Sequence, residues 1–321
     1  MVTGSVNLIP EAPVAVIRDL AVRAEELGFG RCWVNDEGLA TRDVYVTMAA
    51  ILRSTERLVV GPGVTNAYTR HPGQTAAAIA TLAEMSAGRA FLGLGAGGSL
   101  TLDPLGLERQ QPLETIRQTI AACRGLFAGD RISVESPAFA FRSARLDYGR
   151  ADIEIWLAGR GPRMLELGGA ECDGVMLDFI HKPSLGDYTA RVRSGAELTG
   201  NHPQICYSTM VVTDEETLEI VRHHMTYRLV DSPLPVREAL GMTDADSERI
   251  RSALPDGLAA AARYVPDEWV LPFVIAGTEG ECAAEVAALC EVYGLDEFVI
   301  PVLDASTGTA VLEVAARVLA S

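Results

Sequence analysis

Lysine is nearly absent. Lys182 is the only one among 27 basic residues in a 321-residue chain, and 43 acidic residues leave a net charge of −16. Nucleic acids and anionic membrane surfaces are bound through basic surface, so the balance excludes both as partners. No apolar run reaches the roughly 18 residues that cross a bilayer. The N-terminus shows no basic segment followed by an apolar one, so no signal peptide is read. Cys32, Cys123, Cys172, Cys206, Cys282 and Cys290 form no CxxC pair and sit in apolar stretches, which predicts buried thiols rather than disulfides. The five histidines lack metal-ligand spacing, and no P-loop, GxSxG or HExxH is present, so no metal site is expected. These absences predict a cytoplasmic protein.

What is present is core. With 48% hydrophobic and 22% charged residues the chain can bury a large interior. Short strand-like runs alternate with longer segments of helical periodicity: GSVNLIP, RCWVN, RLVVGPGV, RAFLGLG, IEIWLAG, DGVMLDF, QICYSTMVV and DEFVIPV. Helix boundaries are marked by Asp43 and Asp214 as N-caps, Pro72 at a first helical turn and Gly28 past a helix end. Eight alternating units demand a parallel sheet and predict one α/β domain over 1–321, a (β/α)8 TIM barrel with insertions. An open doubly wound sheet is the rival. Two stretches break the rhythm, a hairpin-like excursion at about 129–150 and a partly helical one at about 231–272.

In such a barrel the site lies just past the C-terminal strand ends. The segments there are Asn7, Asn35 to Glu37, Gly63 to Asn66, Gly95 to Ser99, Ala158 to Gly161, Leu177 to Phe179 and Pro301 to Asp304. Gly93, Gly95 and Gly98 match GxGxxG, but Ser99 to Gly106 is read as loop before any helix, which disfavours a dinucleotide fold. Gly159, Arg160 and Gly161 precede a helix whose free N–H groups attract phosphate. The alternative is a plain turn. Adjacent Asp36 and Glu37 are candidate acid–base groups, or a cap and a solvated neighbour. His71 is read as structural, and His223-His224 as surface. The weak strand sequence Gly61-Pro62-Gly63 is expected to end regular pairing.

GPGVTNAYTRHP, AAAIATLAEMSAGRAFLGLGAGG and LDPLG resemble the luciferase-like monooxygenase superfamily, and within it the coenzyme F420-dependent methylenetetrahydromethanopterin reductase branch. The resemblance implies an insertion-bearing barrel, usually a homodimer, with a deazaflavin or flavin at its mouth. It implies a non-prolyl cis peptide at Gly63-Val64 behind the ring. Asp36, Thr65 and the loop Gly95, Ala96, Gly97, Gly98 and Ser99 would contact the cofactor, with Asn7 and Asn66 at the mouth. Ala158, Gly159, Arg160 and Gly161 would hold its phosphate. Relatives often carry acids where this chain has Asn7 and Gly98, and sugar-phosphate oxidisers a histidine where it has Glu37. Asp36 and Glu37 are the nearest remaining acids. The implied activity is hydride transfer between deazaflavin C5 and an electron-poor C=N, C=C or C=O bond of a small substrate, with Glu37 a candidate proton donor. An FMN-dependent monooxygenase and a non-catalytic flavin-binding protein are the alternatives.

Overall fold

The computed structural model describes residues 3–320. Eight strands run parallel: β1 (Thr3–Leu8), β2 (Arg31–Val34), β3 (Val59–Pro62), β4 (Leu92–Leu94), β5 (Ile155–Ala158), β6 (Gly174–Asp178), β7 (Gln204–Ser208) and β8 (Glu297–Val302). Their order is β3-β2-β1-β8-β7-β6-β5-β4. Parallel bridges Val60↔Ala90 and Thr65↔Leu94 join the two ends. The sheet is therefore a closed barrel, not an open doubly wound one.

Helices α1 (Val14–Glu26), α2 (Val44–Ser54), α3 (Pro72–Met85), α4 (Pro112–Phe127), α5 (Pro162–Glu171), α6 (Leu185–Thr199), α7 (Glu215–Val230), α8 (Glu279–Tyr293) and α9 (Gly308–Ala320) alternate with the strands. Their ends follow the sequence signals. The Asp43 carboxylate accepts from the Val46 N–H and that of Asp214 from Thr217, each satisfying a donor that helix geometry leaves free. Gly28 follows α1 with φ +92°. His71 caps α3 by accepting from the Gly73 N–H, and its ring stands edge-on to Phe141. That histidine is structural.

Three apolar layers result. Trp33, Phe91, Trp156, Met176, Cys206 and Val299 fill the barrel. A larger layer joins the outer faces of the strands to the helices, and a third surrounds α7. All six cysteines are free and buried in these layers. Below the interior side chains, at the strands' N-terminal ends, Arg31 bridges Glu297 at 3.1 Å and Glu154 at 3.0 Å. Trp33 Nε1 donates to Glu297 and Trp156 Nε1 to Glu154. The Arg31 guanidinium also lies 4.5 Å from the Trp156 ring centre, so π faces add to the charge and hydrogen bonds that hold it, while its Nη1 has no hydrogen-bond partner. This plug closes the floor and leaves the opposite end as the mouth.

Several expectations need correction. Regular pairing ends at Pro62, within the expected stretch, but Gly61 is still in the ladder: Trp33 pairs with Gly61 and Val34 with Pro62, and the Gly63 N–H donates to the Val34 carbonyl. Gly61 is glycine for packing, since a Cβ there would lie 2.6 Å from carbons of the Phe91 ring. The predicted strand QICYSTMVV is broken. Val211–Val212 leaves the barrel to pair with Ile275–Ala276, while Thr209 Oγ1 donates to the Phe273 carbonyl. A one-turn helix, Ser99–Leu102, directly follows Gly98 where loop was expected. His224 is only partly exposed, and burial pulls its pKa down to about 4, so it is not a simple surface residue.

The two excursions have the following structure. Ile132–Glu135 and Ala140–Ala144 pair antiparallel. Helices Leu234–Ala239, Asp244–Ala253, Leu258–Ala262 and Asp267–Val270 lie between α7 and the Ile275–Ala276 strand.

Candidate active site

The ends of β2 and β3 carry the first polar groups of the mouth. Thr65 is fully buried, and its hydroxyl donates to Asp36 Oδ2 at 2.5 Å. Burial pushes the Asp36 carboxyl above the usual range, against the lowering effect of that hydrogen bond. Burial raises Glu37 likewise, although Asn35 Nδ2 donates to its Oε1 at 2.9 Å. Two adjacent carboxyls thus hold their protons more strongly than solvated ones do. That is the direction of shift that favours a proton donor.

Beside them lies the Gly63-Val64 peptide, which is cis as the resemblance implied. A Cβ on Gly63 would fall 2.6 Å from Trp33 Cβ, so this backbone packs directly on the barrel's interior layer. Asn7 Oδ1 is buried there without a partner. Asn66 is turned to its own loop instead, where its Oδ1 accepts from the N–H groups of Tyr68 and Thr69 and fixes the bend.

Two adjoining cavities occupy the mouth. The larger, about 800 Å³, takes in Asn7, Asp36, Glu37, Gly63, Val64 and Ser99 on its inner side. The smaller, about 230 Å³, is bounded by Asn66, Gly95, Ala96, Gly97, Gly159 and Arg160. Gly98 and Ala158 border both. Of the residues expected at the site, Thr65 and Gly161 border neither: Thr65 is hydrogen-bonded to Asp36, and Gly161 is the N-cap of α5. A Cβ on Gly98 would meet no atom within 4 Å. That loop therefore leaves open space where a ligand can approach the backbone, and the residues present fit a flat, phosphate-bearing group.

The main charged feature of the mouth joins Arg160, which was expected to bind, to Asp178 and Arg228, which were not. Asp178, at the end of β6, accepts from Ser208 Oγ at 2.9 Å and from Arg228 Nη1 at 2.7 Å. Arg160 stands 3.9 Å from the same carboxylate and donates to the Asp178 carbonyl. Burial pushes Asp178 upward, but the two guanidiniums outweigh it and hold the carboxyl below its usual range. Burial lowers Arg160 and the nearby Arg228 lowers it further. Arg160 is thus bound into an ion cluster rather than standing as a free arginine in a turn. Asp178 was within reach of the sequence, as the one carboxylate in a segment singled out as a strand end. Arg228 was not: it belongs to the last turn of α7, fifty residues on, and only the fold brings it over the mouth.

A closed parallel barrel, floored by an ionic plug and open at its C-terminal strand ends, is the architecture of a (β/α)8 enzyme. The chain belongs to the luciferase-like monooxygenase family, whose model matches residues 2–297. It is 32% identical over 301 residues to a 5,10-methylenetetrahydromethanopterin reductase of Methanolobus tindarius, covering 90% of this chain and 91% of that one. It is 27% identical to the protein of the same name from Archaeoglobus fulgidus, covering 88% and 89%. The solved structure of coenzyme F420-dependent tetrahydromethanopterin reductase from Methanopyrus kandleri superposes with a TM-score of 0.88 at 23% identity, covering 98% of this chain and 97% of that one. At that identity the superposition speaks for the fold.

Proposed function

We propose that this protein is an F420-dependent oxidoreductase that passes a hydride between the cofactor and an electron-poor C=N, C=C or C=O bond of a small organic substrate. The relationship to reductases over nine-tenths of the chain supports the reaction class. The observation that carries the site assignment is the pair of half-buried carboxyls, Asp36 and Glu37, both raised by burial, beside open space at the Gly98 loop. The deazaflavin supplies the hydride chemistry. This chain's residues position the reactants, exclude water and furnish a proton.

In this reading the loop Gly95 to Ser99, with Gly63, Val64 and Asn7, faces the ring system. Ala158, Gly159 and Arg160 receive the phosphate. Glu37 holds the transferable proton on its carboxyl, and Asp36, fixed by Thr65, holds the neighbouring wall in place. The protein works as a single-domain homodimer in the cytoplasm, with no metal, and no helix among the described residues is long and apolar enough to cross a membrane. Turnover of reduced F420 with a panel of electron-poor substrates tests the reading. Oxidation that depends on one of them supports the proposal; bound FMN with substrate-dependent oxygen uptake overturns it.

A further inference from the structure

The larger cavity extends outward beyond the strand ends, and that outer part differs in character from the inner wall. Ile9, Phe179, Val230, Leu254 and Leu303 give it apolar surface. Arg228 from α7 gives it charge, as does the exposed Arg251 from the helix Asp244–Ala253, which also bridges Glu248 at 3.0 Å. Arg228 is held in place: its side chain is only 16% exposed, and its guanidinium lies 4.4 Å from the Phe179 ring centre. One hydrogen bond goes to Asp178, while Nε has no partner.

Asp178 is a single carboxylate shared by the guanidiniums of Arg228 and Arg160, and Glu37 is the other acid of this cavity whose charge acts on Arg228. Asp103 and Asp231 also border the cavity, but both are exposed to water. A mostly buried guanidinium with an unpartnered Nε against apolar surface is poorly solvated, and a carboxylate, which can accept two of its donors side by side, relieves that.

We infer that the substrate carries a carboxylate, which docks on Arg228 with Arg251 opposite, while its apolar body lies against Ile9, Val230, Leu254 and Leu303. This names a substrate class for the activity proposed above and rests on that reading for the reaction. Arg228 is then the residue that sets specificity, and Asp178 the one that fixes its position. The excursion at 231–272 enters the site through Arg251 and Leu254.

Calorimetry on the purified protein, with and without F420, tests this using cinnamate and crotonate against cinnamamide and crotonamide. At least one acid should bind about tenfold tighter than its amide. In Arg228→Gln that ratio should fall to about twofold, and Arg228→Lys should retain part of it. Arg251→Gln, on an exposed helix, should reduce the ratio about threefold and serves if Arg228→Gln does not fold. Equal binding of acids and amides, no binding of either acid, or a ratio unchanged in the variants would overturn the inference. So would an Arg228→Gln protein with an intact ratio but about tenfold weaker F420 binding, which would assign the arginine to the cofactor's anionic tail. Because the ratio is read without cofactor, it stays measurable if F420 use itself fails.

Discussion

The Thr65 hydroxyl donates to Asp36 Oδ2 at 2.5 Å, linking the loop after β3 to the loop after β2 beneath the mouth. Burial raises the carboxyls of Asp36 and of its neighbour Glu37 in the folded state. Between the unfolded and folded pKa values the native protein binds more protons than the unfolded chain, so stability contributed by these groups is lost as pH rises through the folded values. Asp36→Asn and Glu37→Gln should therefore raise stability at pH 7, by something on the order of 1 kcal/mol, with the gain vanishing at low pH. Denaturant melts at several pH values check this. A loss of stability at neutral pH in both variants would contradict it.

Activity should move the other way. If Glu37 supplies the proton, Glu37→Gln should lower kcat by about 10²-fold or more while substrate KM changes little. Single-turnover oxidation of reduced F420 measures it.

The two roles of glycine near the mouth are separable by substitution. Gly61→Ala would press a Cβ against Phe91, and should cost about 1–3 kcal/mol. Gly63→Ala meets Trp33 in the same way, so its first effect is on the fold rather than on a ligand. Gly98 has φ −86° and open space beside it, so Gly98→Ala should leave stability within about 0.5 kcal/mol. It should instead weaken cofactor binding about tenfold. Urea unfolding and a binding titration on the same samples separate the cases.

Much of this was legible in the chain. Alternating strand and helix periods, with caps at Asp43 and Asp214 and Pro72 at a first helical turn, specify the barrel because each signal is local. The glycine loop and the Asp36-Glu37 pair were visible as polar residues terminating apolar strands. What could not be read were pairings between distant segments. Arg31, Glu154 and Glu297 meet only when β2, β5 and β8 close around one floor. Arg228 has an ordinary helical neighbourhood, and its meaning comes from Asp178 across fifty residues. Gly61 misled for a related reason: its local sequence marks a poor strand, whereas its cause is an aromatic ring on the neighbouring β4 side of the barrel.

The Asp178–Arg228 contact carries a pH prediction of opposite sign. Asp178 is held below its usual range, so the stability it contributes is present above the unfolded carboxylate pKa and lost as pH falls through the folded one. Asp178→Ala strands Arg228 in a mostly buried position and should cost about 3 kcal/mol at pH 7. The difference from the parent protein should shrink as the pH is lowered into the range where Asp178 protonates. A constant difference across that range would contradict this account.

The thiols offer a check on the core. Burial pushes Cys123 up to about 12 and Cys290 up to about 11, and all six cysteines are free. Reaction with a thiol-specific disulfide reagent at pH 8 should be negligible in the folded protein and reach six thiols after denaturation.

The central claim is that the mouth of this barrel holds a deazaflavin and uses it for hydride transfer. Competitive equilibrium binding of F420 and FMN to the purified protein, read by their distinct absorbance, tests it most directly. F420 should bind at least about tenfold more tightly than FMN, and Gly98→Ala should reduce F420 affinity without loss of fold. Preferential binding of FMN, or F420 affinity indifferent to Gly98→Ala, would contradict it.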